Sequence, residues 1–161
     1  ITSIALLHET LHRSHDLSRI KMGAYIRTLT GHLFRSYGVD PTLISLELNV
    51  DDVEFDIDTG LTCGLIIDEL VSNCLKHAFI DDSGGTVHID LLDHVDGTFT
   101  LCVSDNGIGI PKDGVLNNPD SLGLELVTLL AEKLDGSTEL RSGAGTEWQI
   151  RFQQLQYSER V

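Results

Sequence analysis

Between Leu65 and Ala78 a helical spacing places Ile67, Leu70, Val71, Cys74 and Ala78 on one broad apolar side. Glu69, Asn73 and Lys76 follow at i, i+4 and i+7, which stacks them on the opposite side, with His77 flanking. One helix face thus carries a carboxylate, an amide, an ammonium and an imidazole. An asparagine offers a neutral oxygen to a hard cation such as Mg2+, which takes oxygen ligands and keeps several waters. A glutamate suits proton transfer or the orientation of water, and a lysine suits phosphate. Taken alone, the same pattern is more simply a solvated outer face.

Three glycine-bearing segments follow. Ser104-Asp105-Asn106-Gly107-Ile108-Gly109-Ile110-Pro111 comes directly after a strand pattern. Its two spaced glycines let the backbone turn sharply and approach a ligand, and the strand-end Asp105 suits an exocyclic amine. In Ser121-Leu122-Gly123-Leu124 a glycine opens a helix, where free amides and the helix dipole favour a phosphate. Gly143-Ala144-Gly145-Thr146 is a glycine turn entering the last strand. Singly these are an ordinary turn, a packing glycine and a hairpin. Neither GxxxxGK[ST] nor GxGxxG occurs, so a nucleotide site here is of another type.

The elements that must position these groups are legible from periodicity. A short amphipathic helix end covers Ile1 to Arg13, and Asp16, Leu17 and Ser18 break it. A second helix is predicted from about Met22 to Tyr37, with Gly38 just past its end. Leu43 to Val50 alternates as a strand, and Val53 to Ile57 is a short strand candidate. The longest helix runs from Thr59 to Phe79. Val87 to Leu92 and Phe99 to Ser104 form a hairpin through Asp96-Gly97. Residues 105–119 read as a loop and Leu122 to Leu134 as a helix. Thr138 to Arg141 and Glu147 to Phe152 are the last strand pair. Strands in mainly antiparallel pairs with helices between them predict an α+β two-layer sandwich with a mixed, mainly antiparallel sheet packed against helices. Residues 1–37 read as the end of a preceding region with its connecting helix, 38–153 as the main domain and 154–161 as a polar tail.

Composition narrows the partners. The chain has 161 residues and a formal net charge of −14, so its surface repels DNA, RNA and anionic lipid. Neither nucleic-acid nor membrane contact is expected of it. The same charge repels ATP, so a nucleotide site must supply its own attraction from amides, a cation or a metal. The three cysteines are widely spaced and lie in apolar patterns, which predicts buried reduced thiols and a cytoplasmic setting.

In this order, the four polar and glycine elements resemble the ATP-binding module shared by histidine kinases, type II topoisomerases, a heat-shock chaperone and a mismatch-repair ATPase. Glu69-Leu70-Val71-Ser72-Asn73-Cys74-Leu75-Lys76-His77-Ala78 is similar to the N box, and Asp105-Asn106-Gly107-Ile108-Gly109 to the G1 box. Leu122-Gly123-Leu124 is similar to the G2 box, and Gly145-Thr146 to the closing glycine–threonine. The resemblance covers about Leu43 to Phe152. Upstream, Ala5-Leu6-Leu7-His8-Glu9-Thr10-Leu11-His12-Arg13-Ser14, then Asp16 to Ile20 and Tyr25-Ile26, resemble the end of the dimerisation region of HisKA_2 histidine kinases. The related HWE class carries a Trp-x-Glu after G1, whereas the only tryptophan here, Trp148, lies in the last strand.

The resemblance implies a Bergerat-type fold and a protein-histidine kinase whose substrate is ATP and whose cofactor is Mg2+. Asp105 would accept from the adenine amino group, Asn73 would ligate Mg2+, and Lys76 and His77 would approach the phosphates. Glu69 would assist as base. Gly107, Gly109, Ile110, Leu122, Gly123 and Leu124 would shape the pocket and lid, and Thr146 would sit near adenine. The span from Gly109 to Leu122 is short for a lid and carries no phenylalanine box. The phosphoacceptor histidine is expected in the chain's own dimerisation domain, upstream of Ile1, with His8 a weaker candidate inside the chain. A response regulator would be the partner of the full-length protein, which faces the cytoplasm here whether or not it is membrane-anchored. Two rivals share the module: a serine/threonine kinase of the anti-sigma-factor type and a non-catalytic nucleotide-binding scaffold.

Overall fold

The computed structural model describes residues 19–79, 84–108 and 121–153. The first helix, His8, Gly109, Ile110, the rest of the lid span and the tail lie outside the described residues.

β1 (Arg19–Lys21) runs straight into α1 (Met22–Ser36), followed by β2 (Ile44–Val50) and β3 (Glu54–Asp56). α2 (Ile57–Asn73) passes without a break into a π-helical turn, Cys74–Ala78. β4 (Gly85–Asp93) and β5 (Thr98–Asp105) precede α3 (Ser121–Lys133), β6 (Ser137–Ser142) and β7 (Thr146–Gln153). The main sheet has five strands in the order β2-β4-β5-β7-β6. β2 and β4 pair in parallel, from Ile44↔Gly85 to Val50↔Leu91, because α2 lies between them as a crossover. The other neighbours are antiparallel, so the sheet is mixed, as the sequence predicts.

One sheet face supplies Val87, Ile89, Leu91, Leu101, Val103, Ile150 and Phe152 to a core shared with Tyr25, Ile26 and Leu29 of α1, Ile66, Ile67 and Leu70 of α2, and Val127 and Leu130 of α3. All of these are buried, so helices on one side and the sheet on the other form two layers. Phe55, Phe99 and Phe152 close the core at one end of the sheet, with ring centroids 4.9 to 5.8 Å apart. Phe99 is the second residue of the strand that Asp105 ends, so the aromatic group and Asp105 occupy opposite ends of β5.

The sequence reading stops a helix at Asp16–Ser18 and leaves 19–21 unassigned. The structure makes these residues β1, paired antiparallel to β3 through Ile20↔Phe55. Ile20 and Phe55 are both buried, and the backbone N–H of Met22 donates to the Val53 carbonyl at 3.0 Å. Asp56 caps α2, its carboxylate accepting from the Thr59 N–H at 3.3 Å.

Candidate functional site

Asp105 is the last residue of β5, and its cross-strand partners are Val87 on β4 and Thr146 on β7. The register therefore sets Thr146 directly beside Asp105. Asp105 is buried, at 8% exposure, yet both of its carboxylate oxygens are engaged. Oδ1 accepts from the Gly107 N–H at 2.9 Å and Oδ2 from the Cys74 thiol at 3.2 Å. Burial first, and then the negative charge of Asp105, push the Cys74 thiol well above its ordinary range, so it remains a neutral donor.

Close backbone approach around Asp105 explains two glycines. A Cβ on Gly107 would stand 2.7 Å from the Cβ of Ala78 and closer still to the Ala78 carbonyl oxygen. That oxygen accepts from the Ile108 N–H at 3.0 Å, which ties the loop after β5 to the end of the π turn. Gly145 has φ +154°, and its Cβ would collide with the Asp105 carbonyl oxygen. Asn106 secures the other side: its Oδ1 accepts from the Thr86 N–H at 2.8 Å. A cavity of about 340 Å3 opens here, lined by Asp105, Asn106, Ser142, Gly143, Gly145 and Thr146 among others. Arg141 borders it and pairs with Glu139 at 3.2 Å and Glu147 at 3.7 Å.

The second part of the site lies along α2. Glu69 and Asn73 are half-buried, as expected of side chains on a face that meets other parts of the molecule rather than open water. Gly123, in the first turn of α3, faces Glu69: a Cβ there would stand 2.7 Å from Glu69 Oε2. The structure thus brings the helix-opening glycine and the glutamate together. Asn73 is joined to the Asp105 side because the next residue, Cys74, makes the thiol contact.

The π turn alters the expected stripe. After Asn73 the helix widens, and Lys76 and His77 are carried onto an exposed segment. Lys76 Nζ lies 6.0 Å from the ring centroid of Tyr37, just past the end of α1. Leu124 is half-buried against the core, and only the backbone of Leu122 is described. Cys74, Asn106 and Ser142 also adjoin the candidate site; the sequence marks the first two only as members of the N and G1 boxes, with no role, and does not mark Ser142. The strand-to-π-turn contact that recruits Cys74 joins residues 31 apart, and no local pattern announces it.

The donor set bears on which metal fits. Among the described residues no group of three or more His, Cys, Asp or Glu side chains could hold an ion. A fully protein-coordinated metal therefore finds no cage in that part of the chain. A cation that keeps waters and takes one amide oxygen plus phosphate oxygens does suit the half-buried Asn73. Among the described residues no helix is long and apolar enough to cross a membrane.

Residues 60–156 match the family of histidine kinase-, DNA gyrase B- and HSP90-like ATPases, and residues 1–37 match the HisKA_2 histidine kinase family. The chain is 31% identical over 156 residues to the sensor histidine kinase PdtaS of Mycobacterium tuberculosis, covering 94% of this chain and 30% of that protein. It is 29% identical over 128 residues to blue-light-activated histidine kinase 2 of Erythrobacter litoralis, covering 79% of this chain and 36% of the relative. The chain therefore spans about a third of the length of these curated relatives. The solved histidine kinase domain of the Erythrobacter litoralis EL346 blue-light-activated histidine kinase superposes with a TM-score of 0.83 at 25% identity, over 95% of this chain and 72% of that one. A mycobacterial sensor histidine kinase, MprB, shares the fold at a TM-score of 0.67 and 20% identity, over 84% of this chain and 96% of that one.

Proposed function

Because the chain belongs to the histidine kinase-, DNA gyrase B- and HSP90-like ATPase family and is the ATP-binding catalytic domain of a histidine kinase, we propose that it passes the γ-phosphoryl group of ATP to a histidine of its own dimerisation region. The meeting of Asp105 and Thr146 at one cavity carries this reading, with Gly107 bonded to the Asp105 carboxylate and Glu69 and Asn73 on the helix that Cys74 ties to it. We place 1–37 as the end of the dimerisation region with its connecting helix, 38–153 as the catalytic domain and 154–161 as a polar tail. By the family resemblance we assign Gly109, Ile110, Leu122 and Leu124 to the nucleotide pocket together with Gly123.

Asp105 retains acceptor capacity beyond its two internal bonds, since a carboxylate offers about four lone-pair sites. It accepts from the exocyclic amino group of adenine, while Thr146 and the glycine turn border the base. The first-turn amides of α3 suit an anion and face the phosphates. Lys76 and His77 swing from their exposed turn to the phosphate chain, and Asn73 offers its amide oxygen to Mg2+. Mg2+ supplies neutralisation of phosphate charge, which a chain of net charge −14 otherwise lacks. Glu69 takes the proton from the histidine ring as its other nitrogen bonds to phosphorus and the bond to the departing ADP oxygen breaks. A response regulator then receives the phosphoryl group from the full-length protein. The domain faces the cytoplasm, where ATP and reduced thiols are found.

The HisKA_2 match over residues 1–37 favours a histidine acceptor over a serine or threonine. Incubating the full-length protein with γ-labelled ATP tests this. Acid-labile, alkali-stable label is expected, and Glu69→Gln should lower its rate by about 100-fold or more while ATP still binds. Acid-stable label on serine or threonine would refute it.

A further inference from the structure

Cys74 touches the one carboxylate on which base recognition depends, and it does so from a different element. A carboxylate held at a single oxygen can swing about its terminal torsion, which is broad for aspartate. Gly107 N–H holds Oδ1 at 2.9 Å from the loop that follows β5, and Cys74 Sγ holds Oδ2 at 3.2 Å from the π turn. Two donors from two elements fix the carboxylate plane, so its remaining lone pairs point in set directions. The thiol suits the task because its S–H can only donate to a carboxylate oxygen, which can only accept. It is itself buried, at 8% exposure.

We infer that Cys74 is a positioning residue for base selectivity, its thiol holding the Asp105 carboxylate in the orientation from which a 6-amino purine is accepted. The inference rests on the adenine role of Asp105 proposed above. It goes beyond that role by assigning selectivity to a residue that never touches the nucleotide.

Calorimetric titration of the chain with ATP and with purine riboside triphosphate, which lacks only the 6-amino group, separates positioning from general stability. In the wild-type chain ATP should bind more tightly. In Cys74→Ala that preference should shrink by about 3–10-fold, the scale of one hydrogen bond, with purine riboside triphosphate affinity unchanged. Cys74→Ser, which keeps a donor, should restore the preference to within about twofold of wild type. A Cys74→Ala preference equal to wild type, or equal losses for both nucleotides, would overturn the inference while leaving the adenine role of Asp105 standing. Equal binding of the two nucleotides by the wild-type chain would overturn that role, and the inference with it. Should Cys74→Ala not fold, Cys74→Val offers the same test with the space filled by a side chain that has no donor.

Discussion

Replacing Gly107 by alanine puts a methyl group against backbone that cannot move aside. The new carbon would stand 2.7 Å from both the carbonyl carbon and the Cβ of Ala78, inside the ~3.0 Å limit of real contacts, and nearer still to the carbonyl oxygen. Relief requires the loop to lift from the π turn, which breaks the 3.0 Å bond from Ile108 N–H to that oxygen. The carbonyl orphaned is that of the buried Ala78, which costs about 1–3 kcal/mol, the low end applying because lifting the exposed Ile108 away lets water reach the oxygen. Overpacking adds about 1–3 kcal/mol. A total of roughly 2–4 kcal/mol, at about 2–4 °C per kcal/mol for a chain of this size, lowers Tm by roughly 5–15 °C. Gly123→Ala is the control. Among the described residues its methyl meets only Glu69 Oε2 at 2.7 Å, the next atom being Glu69 Cδ at 3.7 Å, and this is the end of a flexible side chain. Helix propensity gains up to about 1 kcal/mol, so Tm should hold or rise by a few degrees. Phosphoryl transfer should fall as Glu69 is displaced. Melting by circular dichroism, paired with the labelled-ATP assay, reads both. A wild-type Tm for Gly107→Ala, or a large Tm loss for Gly123→Ala, would refute the placement of the two loops against α2 and its π turn.

Other outcomes follow from the same geometry. Asn73→Ala should leave Tm within a few degrees of wild type yet lower Mg-ATP affinity by about 10–100-fold, the scale on which a lost metal-site partner is felt; unchanged Mg-ATP affinity in titrations would refute the metal role. Asp105→Asn places an amide where acceptors are needed, so ATP affinity should drop by about tenfold and preference over GTP should narrow; undiminished preference would refute the base-reading role. The thiols of Cys63 and Cys74 are buried and their ionisation is held well above its ordinary range, so the unfolded chain loses those protons first as pH rises. Stability should therefore be level to about pH 8 and then fall by ~1.4 kcal/mol per pH unit for each such thiol. Urea denaturation at successive pH values checks this, and Cys63→Ala with Cys74→Ser should flatten the decline. Cys102, its thiol pushed up to about 12 by burial and by Glu147, should resist thiol reagents at pH 8 until the chain unfolds.

Much of this architecture is written in periodicity. The alternation from Ile44 to Val50 appears as β2, and the 3.6-residue rhythm from Tyr25 to Leu33 appears as the buried face of α1. Asp105 at a strand end and Thr146 after a glycine turn were separately legible, and the β5–β7 register sets them side by side. β1 escaped notice because three residues hold no period; only pairing with Glu54–Asp56 makes them a strand. The π turn left no mark because it changes hydrogen-bond register rather than residue type. Nor does residue type announce that the Lys76 ammonium comes within 6.0 Å of the Tyr37 ring. The apolar pattern predicts a buried thiol at Cys74, and it is one, but its bond to Asp105 exists only once β5 packs beside the π turn. Likewise Gly123 was legible as a helix opener, whereas its contact with Glu69 depends on how α3 docks on α2.

Calorimetric titration of the chain with a non-hydrolysable ATP analogue, in the presence and absence of Mg2+, bears most directly on whether this site holds a nucleotide. Saturable binding that tightens with the metal, and that Asp105→Asn weakens, is the expected result. Absence of binding under both conditions by the folded chain would contradict the assignment and leave a scaffold with a kinase-like fold.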